Sequence, residues 1–511
     1  MKNTEFKILL LIPPAFNTGH PPLSTPSLLA FLRAQGIDAH QDDLDHKYYN
    51  YIINNKLDHI VTEQYRNEKI RDKVYYYKDI QYRNQNSFSE PVDPVLGARF
   101  DFTEKLLSSH NLFRYIDDEE ENTFKAFFKR EILERIKDDK YDMVGISITA
   151  PSQVISAFTF GRVIKSEIPQ IKVVVGGQWI TLFKEELIKR SDFGEFYDYM
   201  IYSEGETPLV SLINAIKRNT PLSNVPNLIF KRNDTFVPSN VRSKEDIDAL
   251  PCPDFEGIPL EHHKNVEGKL SLTYETSRGC YWDKCIFCVD LPLPKVPYRE
   301  KNIELVIRDI KELKERHNCY GVLISNAVLS PRQMEEFSNA LIRENIKIAW
   351  SSFSRLEDSI TKDILRLIKK AGCFELVCGL ESMNQRVLNF CKKGIRTNVA
   401  KRILKDASDV GLKICCQVMI GLPSETIDEA LDTVCSLVEY PNVQPIINVY
   451  YLTPNNAVFN DPEQYGIRYA YDGELPFRFI YPFTHSLGTI SRDDVDKLIK
   501  INGMLPRRSS I

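Results

Sequence analysis

The sequence predicts an α/β protein built from two parallel-sheet series, and three observations carry that prediction. Short apolar runs of strand length recur along the chain, separated by stretches of helical periodicity. They fall into an earlier and a later series, divided by a proline-bearing segment over 221–269. The 511 residues suffice for two large domains or three ordinary ones. With 43% hydrophobic and 27% charged residues, a sizeable core is expected and wholesale disorder is excluded.

In the earlier series, Lys7–Ile12 is an apolar run ending at Pro13-Pro14, and 27–33 offers a helix before Gly36. The run 37–44 reads as a second, weaker strand, and 141–149, 171–175 and 199–203 complete the set. Such runs suit a mostly parallel sheet covered on both faces. Ligands of open parallel sheets bind beyond the carboxyl ends of the strands. Pro13-Pro14, 147–152, 176–181 and 203–206 lie at such ends and form one candidate rim. The pattern loosens between 47 and 125, where Tyr75-Tyr76-Tyr77 and many charges suggest a helical insertion. Packing is the favoured role for its aromatics, a substrate channel the alternative. Phe124, Phe127, Phe128, Ile132 and Ile136 recur at helical spacing and predict one amphipathic helix.

The segment 221–269 reads as a hinge, with a final strand at 227–231 followed by Pro238, Pro251, Pro253 and Pro259. The later series has strands expected at 270–275, 320–324, 346–351, 374–379, 413–420 and 445–451. Helical patterns fill the gaps, as in Ile303, Val306, Ile307, Ile310 and Leu313, or Ile403, Leu404, Ala407 and Val410. Six strand–helix units imply a parallel barrel or part of one.

The formal charge is -4, so a generally basic surface for nucleic acid is not expected. No apolar stretch reaches the length of about 20 residues needed to cross a bilayer. The start, running into 8–14, reads as a first strand rather than a signal peptide. Eleven cysteines in this length are not the density of a disulfide-stapled secreted protein. Together these features point to a cytoplasmic protein with free thiols and without a membrane or nucleic-acid partner.

The strongest local signal is Arg278-Gly279-Cys280-Tyr281-Trp282-Asp283-Lys284-Cys285-Ile286-Phe287-Cys288, which places three thiols in nine residues just after an expected strand. Soft thiolates suit zinc or an iron–sulfur centre. Structural zinc takes four protein ligands, and Cys252, His262-His263 or Cys319 are the candidates to complete the set. A 4Fe-4S cluster held by three thiolates leaves one iron open for another ligand. Spacing favours the cluster and leaves zinc, or no metal, open.

At these residues the chain resembles the cobalamin-dependent radical S-adenosylmethionine enzymes. The gaps here are four residues, then two, the first being one longer than the family's usual motif. Glu275-Thr276-Ser277-Arg278-Gly279-Cys280-Tyr281-Trp282 resembles the peptide-modifying branch. Phe287 matches the aromatic that lies near the adenine in such enzymes. The run Ala371–Ser382 is similar to the family strand ending in glutamate-serine. The resemblance gives Glu381 the amino group of S-adenosylmethionine and Ser382 part of its ribose or methionine pocket; a carboxylate suits an ammonium. Capping the next helix is the structural alternative for Ser382. Val418–Thr426 is similar to the family's glycine-proline loop, where backbone at Ile420 and Gly421 approaches the adenine and Thr426 caps the helix that follows. Pro297-Tyr298-Arg299 and Trp350-Ser351-Ser352 also hold family-like positions, with Arg299 read as structural or carboxylate-facing.

The amino-terminal half resembles the cobalamin-binding module that precedes this barrel. Pro13, Ser147, Thr149, Gly176, Gly177, Gln178, Ser203, Glu204 and Gly205 match its rim in order, as does the segment Leu23–Ser27. His40 and His46 lie near Asp42, Asp43 and Asp45 without the histidine-on signature, which implies a base-off cobalamin. A flavodoxin-like domain retained for packing is the plain alternative. The resemblance thus implies a Rossmann-like cobalamin-binding domain over 1–245, with its insertion near 47–125, a partial (β/α)6 radical SAM barrel over 246–455, and a cap over 456–511.

The implied cofactors are a 4Fe-4S cluster on Cys280, Cys285 and Cys288, S-adenosylmethionine, and cobalamin, with an external one-electron reductant. The implied activity is C-methylation of an unactivated carbon in a peptide or amino acid. Cyclisation or ring rearrangement of a small molecule is the enzymatic alternative, and a non-catalytic iron–sulfur scaffold the other. Asp290 and His485 are candidates for substrate contact, although an isolated histidine is more often ordinary structure. Tyr465, Tyr469, Tyr471, Phe477, Phe479 and Tyr481 are available to a cap, with packing expected for most of them. Cys373, Cys378, Cys391, Cys415, Cys416 and Cys435 read as core residues.

Overall fold

The computed structural model describes residues 6–14, 20–54, 109–118, 122–265, 267–288, 297–470, 481, 483–488, 490 and 494. The described residues up to Gly268 form one compact unit and those from Lys269 a second.

In the first unit, β1 (Lys7–Ile12), β2 (Asp38–Asp43), β3 (Met143–Ser147), β4 (Lys172–Gly176) and β5 (Tyr199–Ile201) run parallel. The hairpin of β6 (Leu228–Arg232) and β7 (Thr235–Pro238) extends the sheet antiparallel, giving the order β2-β1-β3-β4-β5-β6-β7. The continuous apolar runs are explained by the faces they serve. Leu9, Leu11, Val144, Ile146, Val173 and Val175 enter one core cluster, while Ile8, Leu10, Met143 and Val174 enter another. Successive side chains of a strand point to opposite faces, so a sheet covered on both sides needs apolar residues throughout. The chain moves outward from β1 to β2 and then returns to β3 on the other side. The gap between the carboxyl ends of β1 and β3 is therefore the topological switch point.

Several sequence expectations shift here. The helix expected at 27–33 spans Ser24–Ala34. The single amphipathic helix is two, Thr123–Glu131 and Leu133–Asp138, separated at Ile132; Phe124, Phe127, Phe128, Ile132 and Ile136 are all buried. Pro238 belongs to β7, not to a hinge, because an edge strand tolerates a missing N–H. The hairpin was legible in Asn233-Asp234, which both adopt positive φ (47° and 60°) between Arg232 and its partner Thr235. Helices Leu44–Asn54 and Ser109–Asp117 flank the insertion, whose Tyr75-Tyr76-Tyr77 lie outside the described residues.

In the second unit, β8 (Ser271–Tyr274) leads into the short antiparallel pair β9 (Ser277–Arg278) and β10 (Arg299–Glu300). β11 (Gly321–Ile324), β12 (Ala349–Ser354), β13 (Cys373–Glu381), β14 (Lys413–Ile420) and β15 (Val443–Val449) join β8 in a six-stranded, all-parallel sheet. Its spatial order follows chain order, with β8 and β15 as the two ends. Helices Ile303–His317, Pro331–Arg343, Lys362–Lys370, Thr397–Val410 and Ile427–Val438 connect its strands. This is the partial barrel the six units implied. β12 begins three residues later than the apolar run suggested, and β13 continues to Glu381.

Beyond the sheet, β16 (Ile467–Tyr469) pairs with β17 (Phe483–His485). Tyr465 and Tyr481 are buried with Ile286, Leu452 and Val458, and Tyr469 packs against them, so these aromatics are core; Tyr471, Phe477 and Phe479 lie outside the described residues. Of the six cysteines read as core, Cys435 is exposed, because it faces away from the buried Ala430, Val434 and Leu437 of its helix. No helix among the described residues is long and apolar enough to cross a membrane.

The opening of the barrel hangs on a buried carboxylate. Asp309, fully buried on its helix, accepts hydrogen bonds from Lys301 Nζ at 2.6 Å and the Tyr274 hydroxyl at 2.8 Å. Removing it strands a buried ammonium. Asp309→Ala is expected to lower stability by about 3–5 kcal/mol in urea unfolding; a loss below about 1 kcal/mol would show that Lys301 finds water instead.

Candidate cofactor site

The cysteine loop leaves the carboxyl end of β8. Asn326, buried just after β11, accepts from the backbone N–H groups of Thr276 (2.8 Å) and Ser277 (3.2 Å) and donates to the Thr276 hydroxyl (2.7 Å). This fixes the strand end before Gly279, whose φ of +84° turns the chain into the loop. Cys280, Cys285 and Cys288 follow without regular secondary structure, each half-buried. Burial pushes the Cys285 thiol up, while Lys393 and Arg355 pull it back toward the thiolate.

The loop is anchored by backbone carbonyls of the turn 391–392 and by one side-chain amide. Ile286 N–H donates to the Cys391 carbonyl (3.2 Å), and the Trp282 indole to the Lys392 carbonyl (2.9 Å). Asn456 donates to the Phe287 carbonyl (3.4 Å). Arg355, at the end of β12, donates to the Lys393 carbonyl and lies 4.5 Å from the centre of the Trp282 ring.

Glu381 ends β13 at φ +67°, beside a register shift between Gly379 and Glu381. Its Oε1 accepts from Lys393 Nζ at 2.7 Å, and both side chains are under 10% exposed. A Cβ on Gly379 would sit 2.8 Å from that oxygen and 2.9 Å from that nitrogen, so glycine there leaves room for the pair. Burial opposes the charge on Lys393, but Glu381 and the Cys285 thiolate outweigh it and its pKa stands above the ordinary value. Lys393 Nζ is also 5.8 Å from the centre of the Phe287 ring. Cys285, Phe287 and Glu381 are thus gathered about one ammonium to which sequence reasoning assigned no role.

Ser382 is fully buried. Its hydroxyl lies 3.2 Å from the Thr433 hydroxyl and accepts from Asn384 N–H (3.1 Å). It does not cap the next helix; Asn384 does, accepting from Arg386 and Val387 N–H. Ile420 ends β14, buried, and Gly421 follows at φ +82° with open space where a Cβ would stand. The Gly421 N–H donates to Glu425 (2.8 Å), and Thr426 caps the following helix in a capping box. Because the sheet is parallel, Asn326, Arg355, Glu381 and Gly421 share its carboxyl end with the cysteine loop.

Cys319 lies at the amino end of β11, opposite to the carboxyl end of β8 that carries the cysteine loop. His262 stacks on His46 with ring centres 3.3 Å apart, and His263 Nε2 lies 3.4 Å from Asp43 in the first unit. Burial lowers the pKa of His46 to about 4. His485 is buried edge-on to Phe390, its Nδ1 accepting from Leu487 N–H (3.0 Å), which is ordinary structure; Asp290 lies outside the described residues. Arg299 donates to the Pro297 carbonyl (3.3 Å), and Trp350 is buried, its indole donating to the Ala371 carbonyl (3.1 Å).

At the rim of the first unit, fully buried Gln153 acts as a clamp that no motif announced. Its Oε1 accepts from Thr149 (2.8 Å) and Ala150 (3.0 Å) N–H, and its Nε2 donates to the Pro13 carbonyl (2.9 Å), across the switch point. Ser147 pairs in register with Gly176. Gly177, at φ +106°, would bring a Cβ within 2.4 Å of the Ile148 carbonyl, so the backbone there requires glycine; at Gly176 and Gly205 a Cβ meets no contact closer than 3.4 Å and φ is not positive. Gln178 opens the next helix, exposed. Ser203 holds φ +64° and donates its N–H to Thr181 (2.8 Å), while Glu204 accepts from Glu245 N–H (2.5 Å).

Comparison with known proteins agrees with both units. Residues 274–435 match the model of the Radical SAM superfamily, and residues 110–213 that of the B12 binding domain. A Pyrococcus horikoshii protein described as an uncharacterized methyltransferase is 27% identical over 310 residues, 60% of this chain and 65% of that one. The anaerobic magnesium-protoporphyrin IX monomethyl ester cyclase of Synechocystis is 24% identical over 47% of this chain and 48% of its own length. The chain therefore spans less than two thirds of either relative. Among solved structures, the cobalamin-dependent radical enzyme OxsB with aqua-cobalamin covers 94% of this chain and 65% of its own, at a TM-score of 0.65 and 15% identity. The methyltransferase TsrM of Kitasatospora setae covers 97% and 91%, at 0.62 and 14%. At such identities these two share the fold.

Glu425 gives the Gly421 loop a measurable signature. Burial raises its pKa from 4.5 to about 8, against the N–H groups of Gly421 and Leu422 that favour the carboxylate. The folded protein then binds more protons here than the unfolded chain, so this contribution is complete below about pH 4.5 and is lost as pH rises through 8. Urea unfolding between pH 5 and 9 should show Glu425→Gln with a flatter decline than the parent. Parallel profiles would mean that Glu425 is ionised throughout.

Proposed function

From the premise that this chain belongs to the radical SAM superfamily and carries a B12-binding domain, we propose that it is a cobalamin-dependent C-methyltransferase acting on an unactivated carbon of a peptide or amino acid. The observation that carries the reading is the gathering of Cys285, Phe287, Glu381 and Lys393 at the carboxyl end of one parallel sheet. A soft-donor loop beside a buried, oppositely charged pair fits a metal centre together with a zwitterionic amino-acid ligand.

Cys280, Cys285 and Cys288 would hold the 4Fe-4S cluster. Glu381 would orient the amino group of S-adenosylmethionine, and Lys393, freed from its present partner, would meet the carboxylate. Phe287 and the backbone at Ile420 and Gly421 would bound the adenine, with Ser382 bracing the turn through Thr433 and Asn384. In the first unit, Pro13, Ser147, Thr149, Gly176, Gly177, Gln178, Ser203, Glu204 and Gly205 would form the bed of cobalamin. The forced glycine at 177 and the exposed Gln178 and Ser203 suit a large flat ligand lying on the rim. When bound, these cofactors supply an adenosyl radical and a transferable methyl group. The chain's part is to place the substrate carbon and to keep competing reactants out.

An amino-acid substrate is supported by TsrM, whose structure holds tryptophan as substrate, and the resemblance of 275–282 to the peptide-modifying branch extends it to peptides. The match to the Synechocystis cyclase keeps ring formation as the second reading.

Two experiments test this. Anaerobic reconstitution should give about four iron atoms per chain, and replacing Cys280, Cys285 and Cys288 by Ala should abolish them; stoichiometric zinc in place of iron would overturn the cluster. With cobalamin present, methyl-labelled S-adenosylmethionine should pass its label to a peptide or amino-acid product in mass spectrometry. Turnover that yields a rearranged product without label would select the cyclase reading.

A further inference from the structure

The cysteine loop borders a cavity whose described lining includes neither Glu381 nor Lys393. The cavity measures about 580 Å³ and is lined by Trp282, Lys284, Cys285, Cys288, Lys392 and Tyr465 among others, with no Asp or Glu among the described lining residues. Lys284 and Lys392 are exposed and stand over aromatic rings, Lys284 Nζ 4.9 Å from the centre of Trp282 and Lys392 Nζ 5.9 Å from that of Tyr465. Neither ammonium forms an ion pair among the described residues. Trp282, Ile286 and Ala457 supply an apolar floor.

Resting on the cluster reading above, we propose that this groove docks an acidic one-electron donor protein. The argument joins distance to charge. Electron transfer weakens steeply with separation, and this cavity is walled by two of the three thiol residues themselves. The chain as a whole carries a charge of -4, so an acidic partner is disfavoured over most of the surface and drawn to the place where two exposed lysines form no ion pair among the described residues. A small apolar floor with a cationic rim matches the modest, transient contact of electron-transfer encounters, which bury less than about 1,200 Å². The step balances simply: the donor loses one electron, the cluster gains one, and no proton or bond moves.

The test uses reduced flavodoxin as the acidic donor and dithionite as the small one, with the reconstituted full chain. Lys284→Glu with Lys392→Glu should slow flavodoxin-driven bleaching of the cluster about tenfold or more and flatten its salt dependence. Iron content and the dithionite rate should stay unchanged. Lys392→Glu alone, distant in sequence from Cys280, Cys285 and Cys288, preserves the test if the double variant reconstitutes poorly. A second readout needs no activity: carbodiimide should cross-link flavodoxin carboxylates to Lys284 and Lys392. An unchanged flavodoxin rate, or cross-links only elsewhere, overturns the dock, as does equal slowing with dithionite. A protein that takes up no iron overturns the cluster reading instead, while cross-linking still decides whether the groove binds the donor.

Discussion

The buried pair of Glu381 and Lys393 is the constraint on which the second unit's site depends. Burying two charges costs desolvation that their attraction only partly returns, so such a pair is poor evidence for stability alone. Here further costs accumulate. Glu381 sits in the left-handed region, worth about 1–3 kcal/mol for a residue with a side chain, and Gly379 has to forgo a side chain to make room. These costs are met by the architecture around the turn 391–393, whose carbonyls receive Ile286, Trp282 and Arg355. The same turn that places the ammonium therefore also holds the cysteine loop. Charge placement and loop placement are one device.

The first unit solves a similar problem without charge. Its rim consists of strand-end loops whose backbone groups would be costly if left unsatisfied. Gln153 serves Thr149, Ala150 and Pro13 with one side chain, tying the exit of β3 to the exit of β1. In both units the residues that touch most loops carry no recognisable signature of their own. Motif residues occupy the positions a ligand would see, and the supporting residues make those positions reproducible.

This division explains what could be read from sequence. Strands buried on both faces announce themselves as apolar runs, so β1, β3, β4 and β14 stand close to where periodicity puts them. The cysteine spacing and the Glu381-Ser382 ending are local patterns and equally visible. Lys393 and Arg355 became part of the site through contacts made across 12 and 38 residues, and neither has a local pattern to mark it. β7 is hard to read for a different reason: Pro238 interrupts the strand pattern that would follow the Asn233-Asp234 turn. Glycine misled in a third way. Gly176, Gly177 and Gly205 look alike in sequence, yet only Gly177 is required by its backbone.

Eleven cysteines raise a question of selectivity that spacing alone does not answer, and the surroundings of each thiol supply the reason. Metal capture needs thiolate, and desolvation suppresses it. Cys373, Cys391, Cys415 and Cys416 are buried, and burial pushes their thiols up, while Cys378 is pushed up to about 12. Cys319 is raised for the same cause. Cys285 is raised too, but it stands on a loop without sheet partners, half-buried, with Lys393 and Arg355 both drawing it toward the charged form. A metal that bound there would lower the thiol and gain two cations already in place to offset a negatively charged cluster. The cationic turn that positions Glu381 thus also selects which sulfurs are worth deprotonating, so the loop and the ion pair depend on each other in both directions.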